Sequence, residues 1–198
     1  MDAVTYAAVV DVCARLAGRM SDVALGAARD FYSVGEWDLA EGTLLVNLEY
    51  EGVTLTREER ELIRSTLEDP DAPELAAVAV IEAVPPPRYR FAPAAPAGAP
   101  DPAPADRILS ADAPLHGGRL LRRTWREPCS GARDAAGWVY VLEVAAGADA
   151  LSAACGLGSR LSTLPCESRC VLEAVAERRP LPPYQAAAVA AARVVWAA

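Results

Sequence analysis

The sequence predicts an α+β protein in two parts: an N-terminal acidic helical bundle, then a small open β-sheet with two helices in the order β-β-α-β-α. Three observations predict it. Over residues 1–84 the apolar side chains recur at helical spacing. From 106 to 198, runs of β-branched and aromatic residues alternate with helical stretches. Between them, 85–105 is rich in Pro and Ala, a composition that reads as an extended linker.

Taken in order, Val4, Ala8, Val12 and Leu16, with Cys13, predict a first helix that stops at Gly18. Ser21 caps a second, with Asp22 in its first turn and Val23, Leu25, Ala28, Phe31 and Tyr32 as its apolar face. Trp37, Ala40, Leu44 and Leu48 repeat at three and four and predict a third over 36–51. Thr56 followed by Glu59 is a capping box, and Leu62, Ile63 and Leu67 continue the stripe behind it. Asp69 to Pro73 breaks the pattern. Leu75 to Val84 admits helix or strand. With Tyr89 and Phe91 alternating after the prolines, a short hairpin tying the linker to the first domain is expected. Trp37, Leu44, Leu48 and Leu62 are the expected core.

In the second part, Leu120 to Arg126 reads as a strand, with Leu121 and Trp125 on one face and Arg122 and Arg126 on the other. Trp138 to Val144 is the clearest strand. Asp149 caps a helix reaching about Leu161, Cys170 to Val175 is a strand, and Pro182-Pro183 opens a terminal helix carrying Tyr184, Ala188 and Val195. A strand–helix–strand step of this length places its two strands parallel by a right-handed crossover, with the helices expected on one face. Val139, Val141, Leu172 and Val195 are the expected core.

The blocks Arg122–Pro128, Val139–Val144, Leu181–Gln185 and Val194–Ala197 resemble recurring blocks of a group of two-part actinobacterial proteins, and Asp30–Leu67 is similar to their helical half. The resemblance implies a cytoplasmic two-part protein. None of its blocks is a catalytic signature.

Composition excludes several classes. At 53% hydrophobic and 23% charged, the chain is not disordered throughout, and no apolar run approaches a membrane span. The N-terminus shows neither a basic n-region nor a cleavage-site pattern, so a cytoplasmic protein is expected. Five Cys do not make a secreted disulfide framework. Cys166 and Cys170 are spaced like half of a metal site but lack two further ligands, so no metal is expected. His116, the lone imidazole, and Cys129 flank one predicted strand, with Glu143 able to orient the ring. That is the only candidate catalytic set, and a surface His with an idle thiol is the plainer reading. Gly117-Gly118 and Gly156-x-Gly158 lack the strand-to-helix context of a phosphate loop, so no cofactor is expected.

Charge rises above this background. All 19 basic residues are Arg. Residues 1–84 hold 17 acidic residues against 6 Arg, a net −11, whereas 85–198 are net +3. Asp38, Glu41, Glu49, Glu51, Glu58 and Glu61 crowd the later helices and are the candidate partner-binding residues. Arg119, Arg122, Arg123 and Arg126 form a candidate basic patch around Trp125, read first as docking onto the acidic part. An acidic helical module repels nucleic acid and steers a basic protein partner. The plainer reading of the same charge is solubility. The expected function is a non-enzymatic binding protein, in its sharpest form an immunity- or antitoxin-like inhibitor of a basic toxin domain. The rivals are a nucleic-acid-binding regulator using Arg119–Arg126 and a Cys/His enzyme.

Overall fold

The computed structural model describes residues 2–164 and 170–198, and the chain divides within its triproline into two units, Met1–Pro86 and Pro87–Ala198. The class is α+β, a helical run followed by a sheet with helices.

In the first unit, α1 (Ala3–Leu16) is capped by Asp2, which accepts from the Thr5 amide at 2.8 Å. Ser21 caps α2 (Asp22–Val34), and Gly35 ends it in the left-handed region at φ 82°, where a side chain would be strained. Then follow α3 (Trp37–Tyr50), β1 (Leu55–Thr56), α4 (Arg57–Arg64), α5 (Pro73–Ala77) and β2 (Val80–Ile81). Leu16, Met20, Leu44, Leu48, Leu55 and Ile63 are fully buried. Two expected core residues sit higher. Trp37 is half-buried, with its ring 5.5 Å from that of Tyr32 and 6.5 Å from that of Tyr6. Leu62 is half-buried because Ile63 and Glu59, one turn apart, take the inward face of α4.

The capping box at α4 is complete: the Glu59 amide donates to Thr56 Oγ1 at 3.2 Å, and the Thr56 amide donates to Glu59 Oε2 at 2.8 Å. Glu59 is buried and also receives Arg19, which bonds the Thr54 carbonyl too. One carboxylate therefore joins the start of α4 to the turn after α1.

The expected hairpin does not form. Val80–Ile81 pairs in parallel with Leu55–Thr56, whereas Tyr89 and Phe91 belong to the sheet of the second unit. That unit runs β3 (Tyr89–Ala92), α6 (Ala103–Asp112), a 3-10 turn (Ala113–His116), β4 (Gly118–Pro128), β5 (Gly137–Val144), α7 (Ala150–Leu161), β6 (Cys170–Ala176), α8 (Pro183–Ala191) and β7 (Arg193–Ala197). The predicted β-β-α-β-α series is β4 to α8, and β5 and β6 are parallel across α7. The strand order is β3-β4-β5-β6, with β7 also paired to β4. β3 takes residues 125–128 of β4 and β7 takes 120–123, both opposite β5.

Three expectations change here. Residues 85–105 are not a free linker: they contain β3 and the start of α6, and the Pro-rich stretch between lies against the sheet. Trp138 Nε1 donates to the Pro100 carbonyl at 2.8 Å, and Tyr140 Oη, which donates to Asp106 of α6 at 2.8 Å, lies 3.4 Å from the Pro102 carbonyl. Proline gives up its donor but keeps its acceptor, so aromatic side chains can hold such a strap. Second, the terminal helix stops at Ala191, and Val195 is a half-buried residue of β7. The β-branched and aromatic run Val194-Val195-Trp196 suits the open edge of β4 better than a helix. Third, the helices cover both faces. Asp106 of α6 meets the face of β4 carrying Arg123, and Tyr184 of α8 meets the face carrying Arg126. β4 is thus an interior strand.

Removing Glu59 takes one carboxylate from the Arg19 guanidinium in a site where the two side chains are 10% and 3% exposed. Glu59→Ala is expected to cost about 3–5 kcal/mol in urea unfolding, and Thr56→Ala about 1 kcal/mol. A loss under about 1 kcal/mol for Glu59→Ala would show that the buried pair does not hold α4.

Candidate functional site

The six acidic residues singled out by sequence do different jobs. Glu51 accepts from the Ser21 amide at 2.8 Å and the Ser21 hydroxyl at 2.6 Å, placing a carboxylate at the start of α2. Glu41 accepts from the Glu68 amide at 3.0 Å. Burial pushes the Glu41 carboxyl above its usual range, against the lowering effect of that amide. Glu58 pairs with Arg15 at 2.9 Å and Glu61 with Arg64 at 4.0 Å, exposed pairs that contribute little to stability. Asp38 and Glu49 remain. Both are exposed, and among the described residues neither forms an ion pair.

Asp38 and Glu49 border a feature that sequence reading missed. Leu39, Val46 and Tyr50 are 53%, 58% and 86% exposed. They fall at i, i+7 and i+11 of α3, one line along the helix opposite Ala40, Leu44 and Leu48. The line is about 17 Å long at 1.5 Å per residue. Gly42 lies beside it, and a Cβ built there meets nothing within 4 Å. Glycine in an exposed helix interior is destabilising by about 1 kcal/mol relative to alanine, and it leaves bare backbone for close approach. The signal was present in the sequence: α3 is apolar on two opposite faces, and one core can bury only one. Most of the positive charge of this unit lies elsewhere. Arg15, Arg57, Arg60 and Arg64 line two clefts, of about 610 and 510 Å³, on either side of Val80.

The basic strand is not an exposed patch. Arg119 is exposed, but Arg122 pairs with Glu143 at 3.0 Å. Arg123 is buried, ion-paired with Asp106, and its guanidinium lies 4.7 Å from the Trp138 ring centroid. Arg126 is buried, donates to Tyr184 Oη at 3.0 Å and to the Ala135 carbonyl at 3.3 Å, and stacks 4.6 Å from the centroid of Tyr89.

The Cys/His pairing also fails on geometry. His116 precedes β4 and Cys129 follows it, and this 11-residue strand holds them about 36 Å apart at 3.3 Å per residue. Glu143 is engaged by Arg122. The His116 ring instead packs on Gly156 of α7, where an added Cβ would lie 2.6 Å from His116 Cε1. Cys166 lies outside the described residues. Its partner in the spacing, Cys170, has its thiol pushed up to about 11, first by burial and then by Asp106, against the opposing effect of Arg123. Among the described residues, no group of three or more His, Cys, Asp or Glu gathers for a metal ion, and no helix is long and apolar enough to cross a membrane.

No known family model, curated protein or solved structure matches the chain. The candidate surfaces therefore rest on geometry and charge.

The packing of His116 on Gly156 is directly testable. Gly156→Ala is expected to destabilise by about 1–3 kcal/mol through overpacking, although Gly→Ala in a helix ordinarily stabilises. Combining it with His116→Ala should relieve most of the loss. A stabilising Gly156→Ala would mean that the ring does not hold that position.

Proposed function

We propose that the protein is a binding protein that docks a basic protein partner on the outward face of α3. The observation that carries this is the exposed line Leu39–Val46–Tyr50 beside Gly42, with unpaired Asp38 and Glu49 along its margin. An apolar strip with a polar rim is how stable protein interfaces are built, and exposed tyrosine is among the side chains that dominate their energetics. The acidic rim selects a basic surface and speeds encounter. In its sharpest form the partner is a toxin domain with a basic active site, which the acidic helices would cover as an immunity or antitoxin-like inhibitor does. A cytoplasmic setting goes with that form.

A photo-crosslinking residue at position 46 captures the partner in the native cell, and the captured protein is then purified and its affinity measured. Gly42→Gln is the informative variant, because it adds bulk where a Cβ meets nothing within the monomer. It is expected to leave the fold intact and weaken binding about tenfold or more, a loss of about 1.4 kcal/mol. Asp38→Arg with Glu49→Arg should slow association, with a difference that shrinks as salt rises. A partner bound equally well by Gly42→Gln, or one that contacts only the second unit, would refute the proposal. So would self-association through α3.

A further inference from the structure

A second surface, independent of α3, lies in the second unit. Arg123 of β4 and Arg193 of β7 are directly opposite in the antiparallel ladder. Like charges so placed repel, and the arrangement calls for counter-charge. Asp106 supplies one carboxylate, already engaged by Arg123 and by Tyr140 Oη at 2.8 Å. Arg107, the next residue of α6, adds a third guanidinium to the same groove. The groove has a volume of about 500 Å³, and Ser110 lines it one turn further along the helix. Among the described residues, the Arg107 and Arg193 side chains are exposed and make no hydrogen bond or ion pair. Arg123 Nε is buried and has no acceptor.

Three guanidiniums face one carboxylate, which leaves two positive charges unmet. We infer that this groove between α6 and β7 binds a small ligand through a dianionic phosphoryl group, inorganic phosphate or a phosphomonoester. The chemistry fits in three respects. Two arginines neutralise a dianion, and each guanidinium presents parallel donors to the phosphoryl oxygens. The Ser110 hydroxyl donates to another oxygen. Arg123, held in place by Asp106 and by stacking on Trp138, gives the site a fixed cationic floor, while Arg107 and Arg193 close on the ligand from the rim. The open mouth leaves room for the alcohol part of a monoester.

The test is calorimetric titration of the full chain with inorganic phosphate, O-phosphoserine, malonate and a single-stranded oligonucleotide. Phosphate or phosphoserine is expected to bind. Arg107→Gln and Arg193→Gln should each reduce affinity about tenfold, and the double variant should abolish binding without changing the fold. Arg119→Gln, an exposed arginine of the same strand that does not line the groove, should leave affinity unchanged. Binding that survives in the double variant would overturn the inference. So would an equal loss in Arg119→Gln, preference for malonate over phosphate, binding of the oligonucleotide alone, or no binding of any probe.

Discussion

Arginines held inside the protein decide how the elements within each unit are arranged. Every basic side chain in this sequence is an arginine, and Arg19, Arg123 and Arg126 are almost wholly withdrawn from solvent. A guanidinium cannot shed its proton to enter a core, so it must bring acceptors with it. Those acceptors come from distant parts of the chain. Arg19 takes the Glu59 carboxylate and ties α4 to the turn after α1. Arg123 takes Asp106 and seats α6 on one face of the sheet, and Arg126 takes Tyr184 and seats α8 on the other. Arginine suits this role because its planar group stacks on aromatic rings while its edge donates. Arg123 on Trp138 and Arg126 on Tyr89 both do so.

The same requirement separates structural charge from available charge. A count of acidic and basic residues treats Glu59 and Asp38 alike, although one is sealed against Arg19 and the other lies in water. Once internal pairs are set aside, Asp38 and Glu49 remain available on the outer side of α3, and Arg107 and Arg193 remain available between α6 and β7. The two surfaces differ in kind. The first is a convex helix face with exposed aliphatic and aromatic side chains, suited to a protein. The second is a small groove with cationic walls, suited to a compact anion.

Local signals were legible in the sequence wherever a short range of residues decides the outcome. Thr56 and Glu59 announce the start of α4, Ser21 that of α2, and the run Trp138–Val144 the strand β5. The parallel step from β5 to β6 followed from the length of the connection. What was not legible depends on partners far along the chain. Nothing near Arg123 or Arg126 says that Asp106 and Tyr184 will meet them, so a buried pair of arginines read as a surface patch. Pro100 and Pro102 look like linker until Trp138 donates to the Pro100 carbonyl and Tyr140 Oη comes to lie against that of Pro102. Val194–Trp196 has the composition of a strand, but its place depends on the edge of β4 that β3 leaves uncovered. On α3, Leu44 and Leu48 already account for a buried face, and the same helical spacing does not say that Leu39, Val46 and Tyr50 form a second, exposed one.

A double-mutant cycle on Arg123 and Asp106, read by urea unfolding, bears most directly on the role of the buried guanidiniums. Arg123→Met leaves Asp106 partly exposed, and Asp106→Ala strands a guanidinium that is 5% exposed, so the second change should be the more damaging. The expected coupling is about 1–3 kcal/mol, with the double variant more stable than the two single losses would give if they simply added. Additivity within about 0.3 kcal/mol would contradict it, because the Arg123 guanidinium would then not help to seat α6.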